Sequence, residues 1–453
     1  MTGHDRDQDH AGGMDTDSVR KVGRRRLLGW GGLAAGAVAA GGPLAGVVLG
    51  SAPATAAEAS AAEASAAGAS AAGASWQDRL PPDTLPGGAY DRFVAELAAQ
   101  DRFSGVVLLS YRGRTVLSRA HGMADKEKGI RNHENVAFNL SSAGGPFLPV
   151  AVLQLVQRGQ VKLSDTVGTH LNGLAADLAA QVSIHHLLTG MSGIDAPAPD
   201  VHRVFTSREE VREYHRQWAG QATLRAAPGS NDAANGHTAG GGAASAVTAQ
   251  IVEAVTGTTY WDYMHEHVFA RAGMRGSAYY TRTQWLADER IAHPYMRQPD
   301  GGRVDGVRNL DKDSMSRQGP GENPGRAFVG NVFATAPDLA RFAHALSGGT
   351  VLEPPYADLY TGAKRPGPGD RLGSPSFASY AGPIRISGGQ WEFNRGGGSG
   401  GISTSWTVYL DSGWTGVVLS NYDELPDFLE ILQRQDEAIT GHPSNPGEGG
   451  GGG

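Results

Sequence analysis

The chain contains no cysteine among its 453 residues, so disulfide bonds, thiolate metal ligands and a cysteine nucleophile are all excluded. It also lacks an excess of positive charge, because 39 lysines and arginines stand against 46 acidic residues and the formal net charge is -7. That balance, with no long basic stripe beyond the N-terminus, argues against a nucleic-acid partner. A His-Glu-x-x-His pattern is missing as well, and we predict neither a metal nor a cofactor.

The N-terminus has the organisation of an export signal. The motif GRRRLLGW, with Arg24 and Arg25, precedes a Gly/Ala-rich apolar run over 31–50 that is too poor in Leu, Ile and Phe for a transmembrane helix. An Ala-x-Ala cleavage site ends at Ala56. We predict a twin-arginine signal over 1–56, which implies a secreted, extracytoplasmic protein with no stable membrane span after cleavage.

Composition divides the remaining chain into three parts. The repeat EASAAEASAAGASAAGAS has nothing to bury, so residues 57–75 are predicted to form a spacer. The glycine-rich residues 442–453 are predicted to form a flexible tail. Since 40% of the chain is hydrophobic, enough for a packed core, the folded domain is predicted to occupy 76–441.

Strands are predicted at both ends of this domain, with helices between them. The stretch SGVVLLSYRGRTVLSRAHG indicates a hairpin that turns through 111–113, and further strands are predicted over 402–410 and 414–420, followed by a helix. Helical patterns dominate 183–282 and indicate an all-helical lobe. The prediction is an α+β fold (an α/β sandwich): an antiparallel sheet built from both chain ends, flanked by helices, with the helical lobe beside it.

The start of one buried helix is unusual. A helix is predicted over 150–158, but the preceding FNLSSAGGPFLP places two glycines and two prolines where it should begin. Pro146 is acceptable as a first helical residue. If the helix began at Ser142, Pro149 would lie inside it and would cost roughly 3 kcal/mol. We therefore predict that the helix start is displaced toward Gly145.

The order of the sequence landmarks resembles the serine beta-lactamase and penicillin-binding-protein superfamily, in particular the branch of class C beta-lactamases, DD-peptidases and related esterases. The marks span most of 85–440 and are, in order, FNLSS with AVLQLVQRGQVKLSDTV, SIHHLLTGMSGI, IVEAVTGTTYWDYM, GNVFATAPDLARFAHAL and RGGGSGG. The resemblance implies a beta-lactamase/transpeptidase-like fold. It also implies a serine hydrolase reaction, in which a nucleophilic serine transfers an acyl group from a peptide, amide or ester.

The same resemblance assigns roles to a few residues. Ser142 takes the nucleophile position, but Gly145 stands where the family has the lysine that activates the serine. Arg395 occupies the third motif, where its fixed charge suits a carboxylate but not proton transfer. By the same carry-over, the N–H groups of Ser142 and Gly398 would form the oxyanion hole.

The tyrosine of the family's Tyr-x-Asn motif has no counterpart in this chain. Alignment backward from IVEAVTG places the glycines at 240–242 at the motif, whereas alignment forward from PGS places Ala234 and Gly236 there. His237 has the only titratable ring of this stretch, and it is the candidate substitute base. The alternative interpretation is an exposed loop histidine.

Two functions follow from these features. The first is an exported hydrolase that uses Ser142 with a substitute base. The second is a pseudoenzyme whose cleft binds a cell-wall-like or acylated peptide, or whose surface binds a protein partner. The simultaneous loss of the lysine and the tyrosine favours the second, and both predict a small-molecule or peptide ligand in the cleft.

Overall fold

The computed structural model describes residues 80–200, 203–234, 242–312, 314, 332–367 and 376–443. The α-helices in this part are α1 (Ala89–Ala99), α2 (Phe147–Gln157), α3 (Val167–His170), α4 (Ala176–Gln181), α5 (Ile184–Leu188), α6 (Arg208–Gly220), α7 (Ala243–Thr256), α8 (Tyr260–Tyr263), α9 (Ala270–Ala272), α10 (Arg282–Ala287), α11 (Ala336–Ser347), α12 (Pro354–Thr361) and α13 (Leu425–Thr440). A π-helical segment, Met264–Phe269, joins α8 to α9.

The strands are β1 (Gly105–Tyr111), β2 (Arg114–His121), β3 (Met123–Asp125), β4 (Ile130–Arg131), β5 (Phe138–Asn139), β6 (Ile194–Asp195), β7 (Thr223–Leu224), β8 (Tyr295–Arg297), β9 (Arg303–Asp305), β10 (Phe333–Ala334), β11 (Arg365–Pro366), β12 (Ser376–Ala378), β13 (Pro383–Ser387), β14 (Gln390–Ser399), β15 (Ile402–Tyr409) and β16 (Trp414–Ser420). Eight of them form one sheet in the order β11-β12-β13-β14-β15-β16-β1-β2. Every neighbouring pair in this sheet is antiparallel.

The sheet joins the two ends of the domain through the pairing of β1 with β16, in which Leu108 lies opposite Val417. The predicted α+β fold, with an antiparallel sheet assembled from both chain ends, is therefore confirmed. The predicted hairpin is β1 with β2, and the two predicted C-terminal strands are β15 and β16.

The central strands read as almost continuous apolar runs because both faces of the sheet are covered. In β1, Val106 and Leu108 belong to one buried cluster, and Val107 and Leu109 belong to another. Alternate side chains of a strand point to opposite faces, so each apolar residue in VVLL has a core to enter. The run VVLL thus encodes a strand in the middle of a three-layer arrangement.

The layer formed by α1 and α13 packs on the second face. In α13, Phe428, Ile431 and Ile439 are buried on one stripe with a helical period, and they join Val94 and Leu97 of α1 in the same cluster. The other face is covered by α2, α7, α11 and the rest of the helical lobe. No helix among the described residues is long and apolar enough to cross a membrane.

The helical lobe differs from its prediction in one respect. The residues over 183–282 are mostly helical, but β6 and β7 form a two-stranded pair, with Ile194 opposite Leu224. The chain returns beside 194–195 after α6, and the two extended segments pair their backbone groups there. Two-residue strands carry no alternating pattern, so the expectation of an all-helical lobe was wrong.

Candidate active site

The segment that leads into α2 begins with a strained turn. Residues Ser141–Gly144 form a 3₁₀ turn, and Ser141 has a φ of 47°, which non-glycine residues rarely adopt. Two contacts hold it: its N–H donates to Asn139 Oδ1 at 2.8 Å and its hydroxyl donates to the carbonyl of Gly398 at 3.3 Å. Such strain costs about 1–3 kcal/mol and persists only where the surroundings impose it, most often at functional sites.

The glycines and prolines of this segment are explained by the turn. Gly145 and Pro146 have helical backbone angles, Pro146 is the N-cap, and the regular α-helix begins at Phe147. Pro149 is then the third residue of α2, where its missing N–H would have had no partner in the helix. As predicted, the α-helix does not begin at Ser142. Its first residue lies two positions beyond Gly145, whereas Pro146 had been expected to be that residue.

Strand β14 approaches this turn more closely than a side chain would permit. A Cβ at position 397 would lie 2.1 Å from the carbonyl oxygen of Leu140, 2.5 Å from the nitrogen of Ala143 and 2.9 Å from that of Ser142. Glycine is required at Gly397 because real Cβ atoms do not come this near to backbone atoms. The close approach fixes the turn against the strand that carries the third motif.

Strand β15 holds the same turn by two side-chain hydrogen bonds. The hydroxyl of Thr404 donates to the carbonyl of Leu140 at 2.9 Å, and the indole N–H of Trp406 donates to the carbonyl of Ala143 at 3.0 Å. Both donors are buried. The backbone frame of the predicted nucleophile is thus built by β14 and β15 together.

Among the described residues, the side chain of Ser142 has no base bonded to it. Ser142 is half-buried, and its hydroxyl has no hydrogen-bond partner among the residues that the structure describes. Gly145 stands where the family has its lysine, and a Cβ there would lie 3.2 Å from the carbonyl oxygen of Ser142, a tight contact. Activation of Ser142 as a nucleophile therefore stays a prediction.

Arg395 lies directly beside this turn. Its Nε donates to the carbonyl oxygen of Ser142 at 3.0 Å, which places the guanidinium next to the predicted nucleophile. Burial lowers the pKa of Arg395. Within the described part of the chain this guanidinium has no carboxylate partner. A half-buried, unpaired arginine leaves most of its N–H groups available to a ligand.

The other predicted site residues fall into two groups. Gly398 lies opposite Ser403 in the β14–β15 pair, and its carbonyl accepts the hydroxyl of Ser141. The role of its N–H in an oxyanion hole remains a prediction. His237 lies outside the described residues, as does Gly236. Gly242 is the N-cap of α7, and Ala234 ends the described stretch before it.

A cavity of about 370 Å³ opens beside Arg395. Its walls come from the start of α2, from the segment that follows α5, from the start of α7 and from β11 to β14. Among its described lining residues are Gly145, Ser245, Arg365, Tyr380 and Arg395, and none of them is acidic. In a chain with a formal net charge of -7, this cavity is locally positive.

A cluster of titratable groups that the sequence analysis did not identify surrounds Tyr380, which lines the cavity. The hydroxyl of Tyr380 and Nδ1 of His185 are 2.6 Å apart, and the ammonium of Lys364 lies 4.8 Å from the centre of the Tyr380 ring. Burial raises the pKa of Tyr380 to about 12 and lowers that of Lys364. Burial, followed by the charges of His186 and Lys364, lowers the pKa of His185. At neutral pH the tyrosine and the histidine are therefore both uncharged.

A second cluster of buried ionisable groups has the composition of a metal site. Ligand atoms of Asp125, His293 and Asp305 lie within 4.8 Å of one another. However, the guanidinium of Arg308 donates to Asp125 at 2.8 Å and also bonds Asp305, and His293 Nδ1 lies 2.7 Å from Asp305. The carboxylates already have a cation and hydrogen-bond donors, so this cluster is an ion-pair network that ties β3 to β9.

Comparison with known proteins assigns this chain to one family. A family model described as Beta-lactamase matches residues 90–439. The putative penicillin-binding protein PbpX of Bacillus subtilis (strain 168) is 24% identical over 267 residues, which cover 57% of this chain and 59% of that protein. Esterase EstB of Burkholderia gladioli is 38% identical over 93 residues, 20% of this chain and 24% of the esterase. The matched segments thus span less than two thirds of either relative.

Solved structures show the same fold at lower identity. The octameric penicillin-binding protein homologue from Pyrococcus abyssi superimposes with a TM-score of 0.64 at 18% identity, and the match covers 81% of this chain and 79% of that one. At this identity the likeness establishes the fold and not the reaction.

Proposed function

Because this chain belongs to the beta-lactamase family, we propose that it is a pseudoenzyme of that family, in which acyl transfer is lost or strongly altered and the cleft binds a peptide-like ligand with a carboxylate. The proposal is supported mainly by one observation. The hydroxyl of Ser142 has no hydrogen-bond partner among the described residues, and Gly145 offers no side chain where the family places its lysine.

The size of the expected loss follows from the chemistry. A missing general base typically lowers the rate about 10²- to 10⁴-fold. Disabling a whole nucleophile unit lowers it on the order of 10⁶-fold. Arg395 does not replace the base, because a guanidinium stays protonated in water and gives up its proton too reluctantly to act as one.

The ligand class follows from the cavity. Arg395 lies at the predicted nucleophile with no carboxylate partner in the described part of the chain, and guanidinium groups bind carboxylates through paired hydrogen bonds. The pairing of β14 with β13 ends at Phe393, and beyond it this edge of β14 has no strand partner among the described residues. An extended backbone lying along this edge would gain main-chain hydrogen bonds.

Covalent labelling of the domain tests the proposal. The protein is exposed to a fluorophosphonate and, separately, to a penicillin, and its intact mass is measured, with Ser142→Ala as the matched control. We expect no adduct on the wild type under conditions that label an active relative. An adduct that disappears in Ser142→Ala would show that the serine is activated and would overturn the pseudoenzyme proposal.

The alternative function is a serine hydrolase that uses Ser142 with a substitute base, and the backbone geometry favours it. The strained φ of Ser141 and the close approach of Gly397 are retained, although a chain without catalysis has no evident need of either. The base would be His237. If Ser142 is labelled by the reagents and His237→Ala abolishes the labelling, this alternative is correct.

We further propose that the domain is exported by the twin-arginine route and released by cleavage after Ala56. The motif with Arg24 and Arg25 and the Ala-x-Ala site support this proposal. The N-terminus of the protein recovered from the culture medium should be Ala57. Retention in the cell of a variant with both arginines replaced by lysine is the second expected result, and unchanged export of that variant would contradict the route.

A further inference from the structure

The cavity contains a second positive group, located on a different strand from Arg395. Arg365 belongs to β11 and lines the cavity, and its neighbour Lys364 precedes the strand. The backbone of this segment is fixed, because the N–H of Lys364 donates to the carbonyl of Ala378 at 2.8 Å and Arg365 pairs with the same residue of β12. The two side chains therefore extend from a fixed strand.

Arg365 has a buried donor with nothing to bind. Its Nε is inaccessible to solvent and has no hydrogen-bond partner within the described part of the chain. Its Nη1 donates to the carbonyl of Pro366 at 3.3 Å. A buried polar atom without a partner costs about 1–3 kcal/mol, and native structures contain few of them. A ligand acceptor that draws the Arg365 side chain into the cavity would remove this cost.

Other partly buried arginines of the chain have acidic partners. Arg303 bonds Glu424 and Asp101, Arg308 bonds Asp125 and Asp305, and Arg385 bonds Glu392. Arg365 and Arg395 have no acidic partner among the described residues. Partly buried cations are normally paired, so two unpaired guanidinium groups facing one cavity indicate that an anionic ligand supplies the missing partners.

Arg365 and Arg395 extend from different strands of the cavity wall. The strands β11 and β14 are separated by β12 and β13, so their backbones lie roughly 14 Å apart at about 4.8 Å per strand. The Nε of Arg395 is held at the carbonyl of Ser142, which fixes that guanidinium at the predicted nucleophile. A ligand with two anionic groups joined by a spacer can therefore meet both arginines at once.

We infer that the cleft recognises an elongated dicarboxylate, with one carboxylate at Arg395 and the other at Arg365, where Lys364 adds positive charge. This inference rests on the proposed function, because it specifies the ligand of the same cleft. Arg365 acts as a specificity residue that selects a second acidic group on the ligand. Ser245 lines the same cavity and can bond the polar atoms between the two ends.

Titration calorimetry at low salt tests the inference with two probes of equal chain length, the dicarboxylate suberate and the monocarboxylate octanoate. We expect wild-type protein to bind suberate about tenfold more tightly than octanoate. Arg365→Gln should remove that preference while leaving octanoate binding unchanged, and Arg365→Lys should restore part of it. Arg275→Gln, which removes one exposed arginine outside the cavity, is the matched control and should keep the preference.

The outcomes separate the inference from the proposed function. If both probes bind with equal affinity, or if Arg365→Gln retains the preference, the dicarboxylate inference is wrong while carboxylate binding in the cleft stands. If neither probe binds, the proposed binding function fails and the inference fails with it. Inorganic phosphate and octanoate are also compared as competitors of suberate. If phosphate displaces suberate as effectively as octanoate does, the second subsite is a general anion site and the dicarboxylate inference is wrong.

Discussion

Two groups of partly buried charges in this molecule have opposite arrangements. Around Arg308, two carboxylates and a histidine surround one guanidinium, and each charge has a partner within hydrogen-bond distance. Around the cavity, Arg365 and Arg395 lie without any carboxylate among the described residues. The first group joins two strands of the fold, and the second has no structural task that the described contacts reveal.

The difference indicates how ionisable residues can be assigned to structure or function. A charge that is buried with its partners stabilises the position of the elements that carry it. If one partner is removed, the desolvation free energy of the remaining buried charges is no longer offset. A half-buried charge without a partner has an unfavourable desolvation free energy in the free protein. An oppositely charged ligand offsets this free energy when it binds. Three measurements test this contrast.

The largest effect is expected for Arg308→Met. The substitution leaves Asp125 and Asp305, which are 4% and 10% exposed, as buried carboxylates with one histidine between them. We expect a loss of about 3 kcal/mol in the free energy of unfolding, because breaking a buried charge network is far more destabilising than its net contribution. Urea denaturation followed by fluorescence measures this change, and a loss below about 1 kcal/mol would contradict a structural role for the network.

The second effect in size is the change with pH in the stability that the same network contributes. Burial alone would raise the pKa of Asp125, but the hydrogen bonds of Arg308 and of the N–H of Lys128, together with the positive charges nearby, lower it overall. The pKa of Asp305 is likewise lowered, chiefly by His293, against the effect of burial. A carboxylate whose pKa is lower in the folded state stabilises the protein above its unfolded pKa of about 4 and loses that contribution as the pH falls.

The difference in stability between wild type and Arg308→Met should therefore be largest near neutral pH and should shrink as the pH falls through about 4. Urea denaturation at a series of pH values measures it. If the difference is the same at pH 3 as at pH 7, the carboxylates are not coupled to Arg308 and the proposed network is incorrect.

The smallest effect on stability is expected for Arg395→Met. The substitution removes one hydrogen bond to the carbonyl of Ser142, a contribution of about 1 kcal/mol, and also removes a desolvated charge, so the two effects oppose each other. We expect the free energy of unfolding to change by less than about 1 kcal/mol while octanoate binding is lost. A large destabilisation with unchanged binding would place Arg395 in the same structural class as Arg308.

Much of the fold could be predicted from local patterns. The runs VVLL in β1 and VVLS in β16, and the turn after Tyr111, fix strands and a hairpin through neighbouring residues alone. The pair β6 with β7 could not be predicted, since two residues show no period and their pairing depends on where α6 returns the chain. The displaced start of α2 could be predicted because proline restricts the backbone wherever it occurs.

The candidate site was predicted less completely. Ser142, Arg395 and Gly398 could be placed by motif, and the structure locates all three around one turn. Arg365, Tyr380 and Lys364 carried no sequence signal, since they are distant from the motifs along the chain and belong to an edge strand and a loop. The ring of His185 contacts Tyr380 across 195 positions of sequence, a contact that no local pattern predicts.

The sequence by itself therefore determined that position 145 carries no side chain able to move a proton, because it is a glycine. It also determined the strands and helices whose periodicity is local. Only the tertiary structure decided which cations share a cavity and which have acidic partners. Pairing of charges depends on distances of a few ångströms between residues far apart in the chain, and those distances arise only when strands β11 to β14 assemble beside the turn at Ser142.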